Sequence, residues 1–359
     1  MKELFTLISE CLFSNEPLVL ATIIKSSGST PRGSGARMLA GLGSGGKGNR
    51  LWGTIGGGIA EHLAIKEAAS LLKAKGTNHG PFFSVKKYVL NAEAAADLGA
   101  CCGGEITVFF RTIDAGEPGL PTIIQKGITS FSGDKTVWFF MEINESDKKR
   151  GGNLSLGILE EGGLMACAGE KPGNPQKLLK SAAALIEDGE KLWFSEPLFQ
   201  GGFVYIFGGG HIARELAPIL ARLGFRFIIF DDRKEFSNAE LFPGAAKVIH
   251  GNFKQIGKSL RLKERDFVVI ITRGHLWDME ALSFSLESPA AYIGIIGSKT
   301  KHALVKQMLL ERGFSPELIS APRIHAPIGI KIESETPEEI AISIAAELIL
   351  CRAKLRETK

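Results

Sequence analysis

Gly208-Gly209-Gly210-His211-Ile212-Ala213 carries the residue types of a phosphate cradle in the order that chemistry needs. Gly208 allows a tight turn, Gly210 lets backbone approach a pyrophosphate, and small Ala213 lets a helix pack on a strand. The first helical turn, which begins at His211, then presents unpaired N–H groups to anions. An acid about 20 positions further on is placed to accept hydrogen bonds from a ribose 2′-hydroxyl. Asp231 stands there, and Asp232 can share or replace its role. The plain alternative is an α/β unit that keeps this geometry and binds no nucleotide.

Three more glycine-rich stretches lie in the first third. The loop from Ser26 to Arg37 holds Arg32 and Arg37, whose guanidinium forks suit phosphate or carboxylate, unless it is a hairpin connection with solvated arginines. Gly56-Gly57-Gly58 precedes a helical segment that carries Glu61, and this makes a second anion-binding turn. Glycine is costly to order, so two such turns on one small domain are hard to explain by folding alone. In Leu98 to Glu105, Cys102 stands beside Gly103 and Gly104, a position with little side-chain cover. Nearby N–H groups and arginines favour a thiolate there, whereas a buried Cys101 or Cys102 would be a small hydrophobe. The vicinal pair lacks zinc-site or thioredoxin-like spacing.

Strands and helices must position these groups. Residues 5–13 read as a helix, and residues 18–25, 50–52, 106–110, 137–143 and 154–159 as strands; residues 60–72 read as the helix after the glycine turn. Residues 178–186 read as a helix toward a second domain. From residue 203 strands alternate with helices: strand 203–207, a helix ending at Gly224, strand 225–230, strand 267–272 and strand 292–296. That alternation implies a parallel sheet with right-handed crossovers. His275 and Asp278 follow one strand end, and Ser298 and Lys299 follow another, where open α/β sheets bind ligands. Asp278 suits a helix start, and Ser298 and Lys299 suit either phosphate binding or capping. Thr336-Pro337-Glu338-Glu339 is a helix start, the apolar residues of 340–350 point to a well-buried last helix, and the charged tail from Arg352 is expected to fray. The fold class is α/β: a mixed α+β domain over residues 1–200 with its linker, then a Rossmann-like nucleotide-binding domain over residues 201–359.

At 359 residues, two or three domains are expected. Hydrophobic content of 44% with 23% charged residues is that of a globular protein, and a net charge of +4 without a long basic run argues against nucleic acid. No apolar stretch reaches membrane-spanning length, and the first residues lack a signal-peptide pattern. Five scattered cysteines suit a reducing cytosol, so a cytoplasmic location is expected.

Three of the first-third motifs, Gly28 to Met38, Gly53 to Glu61 and Cys102 to Glu105, resemble the XdhC/CoxI family of molybdenum-hydroxylase maturation factors. So do GGGHIA, FDDR, TRGHLWDMEAL, YIGIIGSKTK and the segment from His325 in the second half. Ile59 departs from the family's cysteine or alanine, and Lys331 and Glu333 from an acidic or small residue and glycine. The resemblance implies an accessory factor rather than a catalyst. Such a factor binds molybdenum cofactor (molybdopterin), shelters it during sulfuration with a cysteine desulfurase, and delivers it to a xanthine-dehydrogenase-like or CO-dehydrogenase-like apoenzyme. It also implies a homodimer. On this reading Arg32, Arg37, Gly56, Gly57, Gly58, Glu61, Gly103, Gly208, Gly210, His211, Asp231, Asp232, His275, Ser298 and Lys299 bind cofactor, and Cys102 meets the metal. NAD(P) or another nucleotide can occupy the Rossmann half. The rival readings are an NAD(P)-dependent oxidoreductase with His275 as acid/base, and a nucleotide-binding regulatory protein.

Overall fold

The computed structural model describes residues 1–76, 81–90, 103–131, 133, 135–144, 154–199 and 202–357. The chain divides into two units, Met1–Gln200 and Gly201–Lys359.

In the first unit α1 (Lys2–Phe13) leads to β1 (Leu18–Ser27), β2 (Arg37–Leu42), β3 (Gly48–Gly53), α2 (Gly58–Lys75), β4 (Phe83–Leu90) and β5 (Gly104–Ile113). The strands form an antiparallel sheet in the order β3-β2-β1-β5-β4. Because β1 is central, its apolar run over residues 18–24 is buried on both faces. Val19, Ala21 and Ile23 pack with Ala60, Ala64 and Ala68 of α2, whose small side chains at every fourth position keep the helix close. Leu18 and Leu20 face the other way.

Then come α3 (Leu120–Ser130), β6 (Val137–Ile143), β7 (Leu156–Glu160), β8 (Gly163–Ala168), β9 (Ala184–Asp188) and β10 (Lys191–Phe199). Their sheet runs β8-β7-β6-β10-β9 and is also antiparallel. Phe139, Met141 and Phe194 of this sheet share one core with Leu20, Leu39 and Phe109 of the first. The helix expected over residues 178–186 is absent. The chain makes a short 3-10 turn at Pro175–Leu178 and then β9, where Ile186 pairs with Trp193. Pairing with an apolar neighbour strand outweighs the weak helix preference of the alanines.

The second unit comprises β11 (Val204–Phe207), α4 (His211–Arg222), β12 (Phe227–Asp231), β13 (Lys247–His250), α5 (Ile256–Ser259), β14 (Phe267–Ile270), α6 (His275–Leu286), β15 (Tyr292–Ile295), α7 (Lys299–Glu311), α8 (Pro316–Ile319), β16 (Ile324–His325) and α9 (Pro337–Glu357). All six strands are parallel in the order β13-β12-β11-β14-β15-β16, the arrangement of a Rossmann fold. The strands β11, β12, β14 and β15 are wholly buried, as continuous apolar runs covered on both faces must be.

Thr336 and Glu339 start α9 with reciprocal bonds: Glu339 N–H donates to Thr336 Oγ1 at 3.3 Å, and Thr336 N–H donates to Glu339 Oε2 at 3.2 Å. Two expectations for α9 fail. Ile342, Ile349, Leu350 and Leu355 are exposed, because only the side facing α4 and the sheet is covered. The tail does not fray at Arg352: its guanidinium donates to the Leu223 carbonyl and covers the Phe225 ring, so the helix runs on to Glu357. Glu333 takes a positive φ of 55°, the conformation glycine adopts more readily.

Candidate cofactor-binding site

In the Rossmann unit the sheet grows in opposite directions from β11, so α4 and α6 leave from the adjacent strands β11 and β14. Ligands bind at such a switch point. Gly208 has φ +108°, and a Cβ there would lie 2.5 Å from the Ile271 carbonyl oxygen. At Gly209 a Cβ would lie 2.0 Å from the Phe236 carbonyl oxygen. These two glycines are therefore dictated by neighbouring loops. Gly210 differs: nothing lies within 4 Å of its would-be Cβ, and no side chain caps α4. Gly274, before α6, is equally open and uncapped. Two helix starts on neighbouring strands thus present N–H groups to open space, an arrangement suited to anions. His211 and His275 are exposed at these starts.

Asp231 does not fit the ribose role given to it. It is 1% exposed. Oδ2 accepts from Gly209 N–H (2.8 Å) and Arg233 Nη2 (2.9 Å), and Oδ1 from Arg233 N–H (2.9 Å) and Nε (3.0 Å). Four donors fill the acceptor sites of a carboxylate, so Asp231 latches the glycine loop. Burial pushes its carboxyl up, but the Arg233 fork and the N–H bonds prevail and hold it below the ordinary value. Arg233, which latches it from the same strand end, was not legible as a site residue. Asp232 remains partly exposed, with Arg273 Nη2 3.4 Å from Oδ2. Asp231→Asn should cost about 2 kcal/mol, less than a fully buried pair because Arg233 stays partly solvated. A depressed carboxylate stabilises the fold above the unfolded value and stops doing so as pH falls through the folded one. The acid limb of the stability curve below pH ~4, followed by urea unfolding, should therefore shrink in Asp231→Asn.

Asp278 is fully buried in the first turn of α6. Its Oδ1 accepts from Thr272 Oγ1 at 2.6 Å, and its other oxygen pairs with Lys301 of α7. Burial pushes its carboxyl up, opposed by Lys301 and Thr272. Asp278 and Lys301 thus fasten the first turns of α6 and α7 together. Ser298 caps α7 by accepting from Lys301 N–H at 3.3 Å. The side chain of Lys299 lies outside the described residues.

In the first unit the three glycine motifs meet. A Cβ on Gly28 would lie 3.1 Å from the Gly103 carbonyl oxygen, one on Gly104 2.4 Å from the Ser29 carbonyl oxygen, and one on Gly56 3.2 Å from Pro31. Only glycines let these loops approach so closely. Glu61, 8% exposed, organises the turn: it accepts from Arg50 Nη1 (2.7 Å), Gly57 N–H (3.3 Å) and Thr54 Oγ1, while Gly56 N–H donates to Thr54 Oγ1 (3.0 Å). The N–H groups of Gly56 and Gly57 are therefore engaged, and Glu61 is a brace rather than a ligand contact. Gly57 and Gly58 still border open space at the uncapped start of α2. Thr54 lies within the Gly53 to Glu61 motif and Arg50 just before it, and neither was singled out from sequence as a site residue.

Arg32 is exposed beside this turn. Arg37 is not: it is 4% exposed, pairs with Glu196 of β10, and donates through Nε to Thr22 Oγ1 at 3.1 Å. Its guanidinium lies 4.9 Å from the Phe139 ring centre and 5.7 Å from that of Phe194. Its pKa is pushed down to about 9 by burial, so it remains a cation at neutral pH. Inward alternation along β2 sends Arg37 into the core, and it cannot meet a ligand at the loop. Cys102 lies outside the described residues, one position before Gly103. Among the described residues no group of His, Cys, Asp or Glu is arranged to hold a metal, and no helix is long and apolar enough to cross a membrane.

Comparison with known proteins gives these arrangements relatives. Residues 204–348 match the XdhC Rossmann domain, and residues 11–82 match the XdhC and CoxI family. The Escherichia coli K12 protein YqeB is 38% identical over 145 residues, 40% of this chain and 26% of its own length. A probable xanthine dehydrogenase subunit from Bacillus subtilis is 26% identical over 361 residues, 99% of either chain. The Escherichia coli K12 molybdenum cofactor insertion chaperone PaoD is 26% identical over 164 residues, 44% of either chain. The crystal structure of a xanthine dehydrogenase from Bacillus halodurans superposes with a TM-score of 0.77 at 25% identity, over 100% of this chain and 96% of that one.

Proposed function

The chain belongs to the XdhC and CoxI family, and on that premise we propose that it is an accessory factor for molybdenum cofactor maturation. It binds the cofactor, supports its sulfuration by a cysteine desulfurase, and supports insertion into a xanthine-dehydrogenase-like molybdenum hydroxylase. The observation that supports this most is the pair of uncapped helix starts at Gly210 and Gly274, open on adjacent strands. A phosphorylated pterin, alone or extended by a nucleotide, offers the anionic groups such N–H groups bind. In the first unit, open Gly58 and exposed Arg32 offer a second anion-binding surface. The bound cofactor supplies an oxo-metal with soft dithiolene sulfurs, which a thiolate such as Cys102 suits.

The chain's own residues bind and orient in this reading; none is assigned a proton transfer. An NAD(P)-dependent oxidoreductase is less well supported, because Asp231 has no acceptor site left for a ribose diol. The test is to purify wild type and Cys102→Ala from cells that make the cofactor, and to assay molybdenum and pterin. Cys102→Ala should retain severalfold less of both with an unchanged circular dichroism spectrum. Unchanged retention would remove the thiol from the account.

A further inference from the structure

The outer face of α9 carries apolar side chains that the cofactor reading does not use. Ile342, Ile349 and Leu350 are 54%, 39% and 46% exposed, although isoleucine and leucine gain much from burial. Ile342, Ala346 and Leu350 follow one another in four-residue steps, so they form one ridge along the helix, with Ile349 beside it. The opposite side of α9 is occupied: Ala341, Ile344, Ala345 and Leu348 are buried in one core with Leu216 and Leu220 of α4. Single exposed apolar residues are ordinary, whereas a contiguous stripe marks a surface that something covers.

The charges at the two ends of the ridge point to what covers it. Glu338 lies one step before Ile342 and Lys354 one step after Leu350, and both are exposed. The ridge therefore reads acid, apolar, small, apolar, base over about 24 Å of helix. Turned end for end, the same ridge is its own complement. With Ala346 set against the Ala346 of a second copy, Ile342 faces Leu350 and Glu338 faces Lys354. The small side chain at the crossing lets the two helices approach, and antiparallel axes bring opposite ends of the helix dipoles together. A different protein would need base, apolar, small, apolar and acid in that order; this chain presents them unaided. A net charge of only +4 leaves little long-range repulsion between copies.

We propose that the ridge from Glu338 through Ile342, Ala346 and Leu350 to Lys354 is a docking surface for a second copy of this chain. The copy lays the same ridge antiparallel across a two-fold axis. Such a contact uses the same patch on both copies, so each pairing occurs twice. Ile342 and Leu350 supply the apolar centre, and Glu338 and Lys354 set the direction. A parallel arrangement would put like charges together at both ends and is thereby disfavoured. The proposal is independent of cofactor binding.

Light scattering on the full-length chain, at about 1 to 100 µM, should give twice the chain mass. Ile342→Glu places two carboxylates in the apolar centre and should raise the dimer dissociation constant about 100-fold or more. Its circular dichroism spectrum and urea midpoint should stay unchanged, since the side chain is more exposed than buried. Glu338→Lys alone should weaken association about tenfold, because each two-fold pair turns from attraction to repulsion. Glu338→Lys combined with Lys354→Glu should restore it, a recovery that antiparallel pairing gives and parallel pairing does not. This exchange alters no apolar side chain, so it decides even where Ile342→Glu unfolds. A monomeric wild-type chain, with the stripe covered by its own first unit or by another protein, overturns the proposal. So does a dimer that folded Ile342→Glu leaves intact, or a charge exchange without recovery.

Discussion

Gly210→Val should abolish nucleotide binding while leaving the fold intact. Gly210 sits at φ −74° and ψ −164°, extended backbone that a β-branched residue adopts readily. No atom lies within 4 Å of its would-be Cβ, so the valine meets only the space in front of α4. If a pyrophosphate occupies that space, the side chain collides with it and with the N–H groups that hold it. The affinity for a nucleoside diphosphate such as ADP, measured by calorimetry, should fall by about 100-fold or more, roughly 2.7 kcal/mol. Stability in urea should change by less than about 0.5 kcal/mol. Gly209→Ala is the matched control. Its Cβ would run into the Phe236 carbonyl, so it should lose stability first and binding only as a consequence. A normal affinity in Gly210→Val would remove the glycine loop from the binding site.

Glu196→Gln should give the largest loss of stability. Arg37 of β2 and Glu196 of β10 fasten the two antiparallel sheets through their shared core, with side-chain exposures of 1% and 10%. Removing only the negative partner leaves a guanidinium inside a shell that includes Phe139 and Phe194. Breaking such a buried pair costs about 3–5 kcal/mol. Replacing both partners with apolar residues, as in Arg37→Met with Glu196→Leu, should recover most of that loss, because desolvation of two charges disappears with the pair. Urea unfolding measures both variants. A loss below about 1 kcal/mol in Glu196→Gln would mean that the pair is solvated.

The strand–turn–helix unit at Gly208 was legible because a buried strand, a glycine turn and a helical repeat each leave an independent mark on the sequence. The parallel sheet followed from alternation, and the capping box at Thr336 from four residues. Roles were harder to read than elements. Asp231 and Arg37 have the right chemistry for ligand contact, yet each is consumed by an internal partner, Arg233 two residues away and Glu196 on a distant strand. Motif spacing reports where a side chain starts, and only packing reports which face it takes. The second antiparallel sheet was only half visible. Its strands β9 and β10 are interrupted by polar residues, and in β10 also by Pro197, and they are defined by pairing with each other.

The most direct test of the account is the metal and pterin content of the purified chain. Protein from cells that make molybdenum cofactor should carry molybdenum and phosphorylated pterin in stoichiometric amounts, and protein from cells unable to make it should carry neither and accept the cofactor when it is added. A chain from cofactor-replete cells that carries no pterin, and takes up none on addition, would contradict the account.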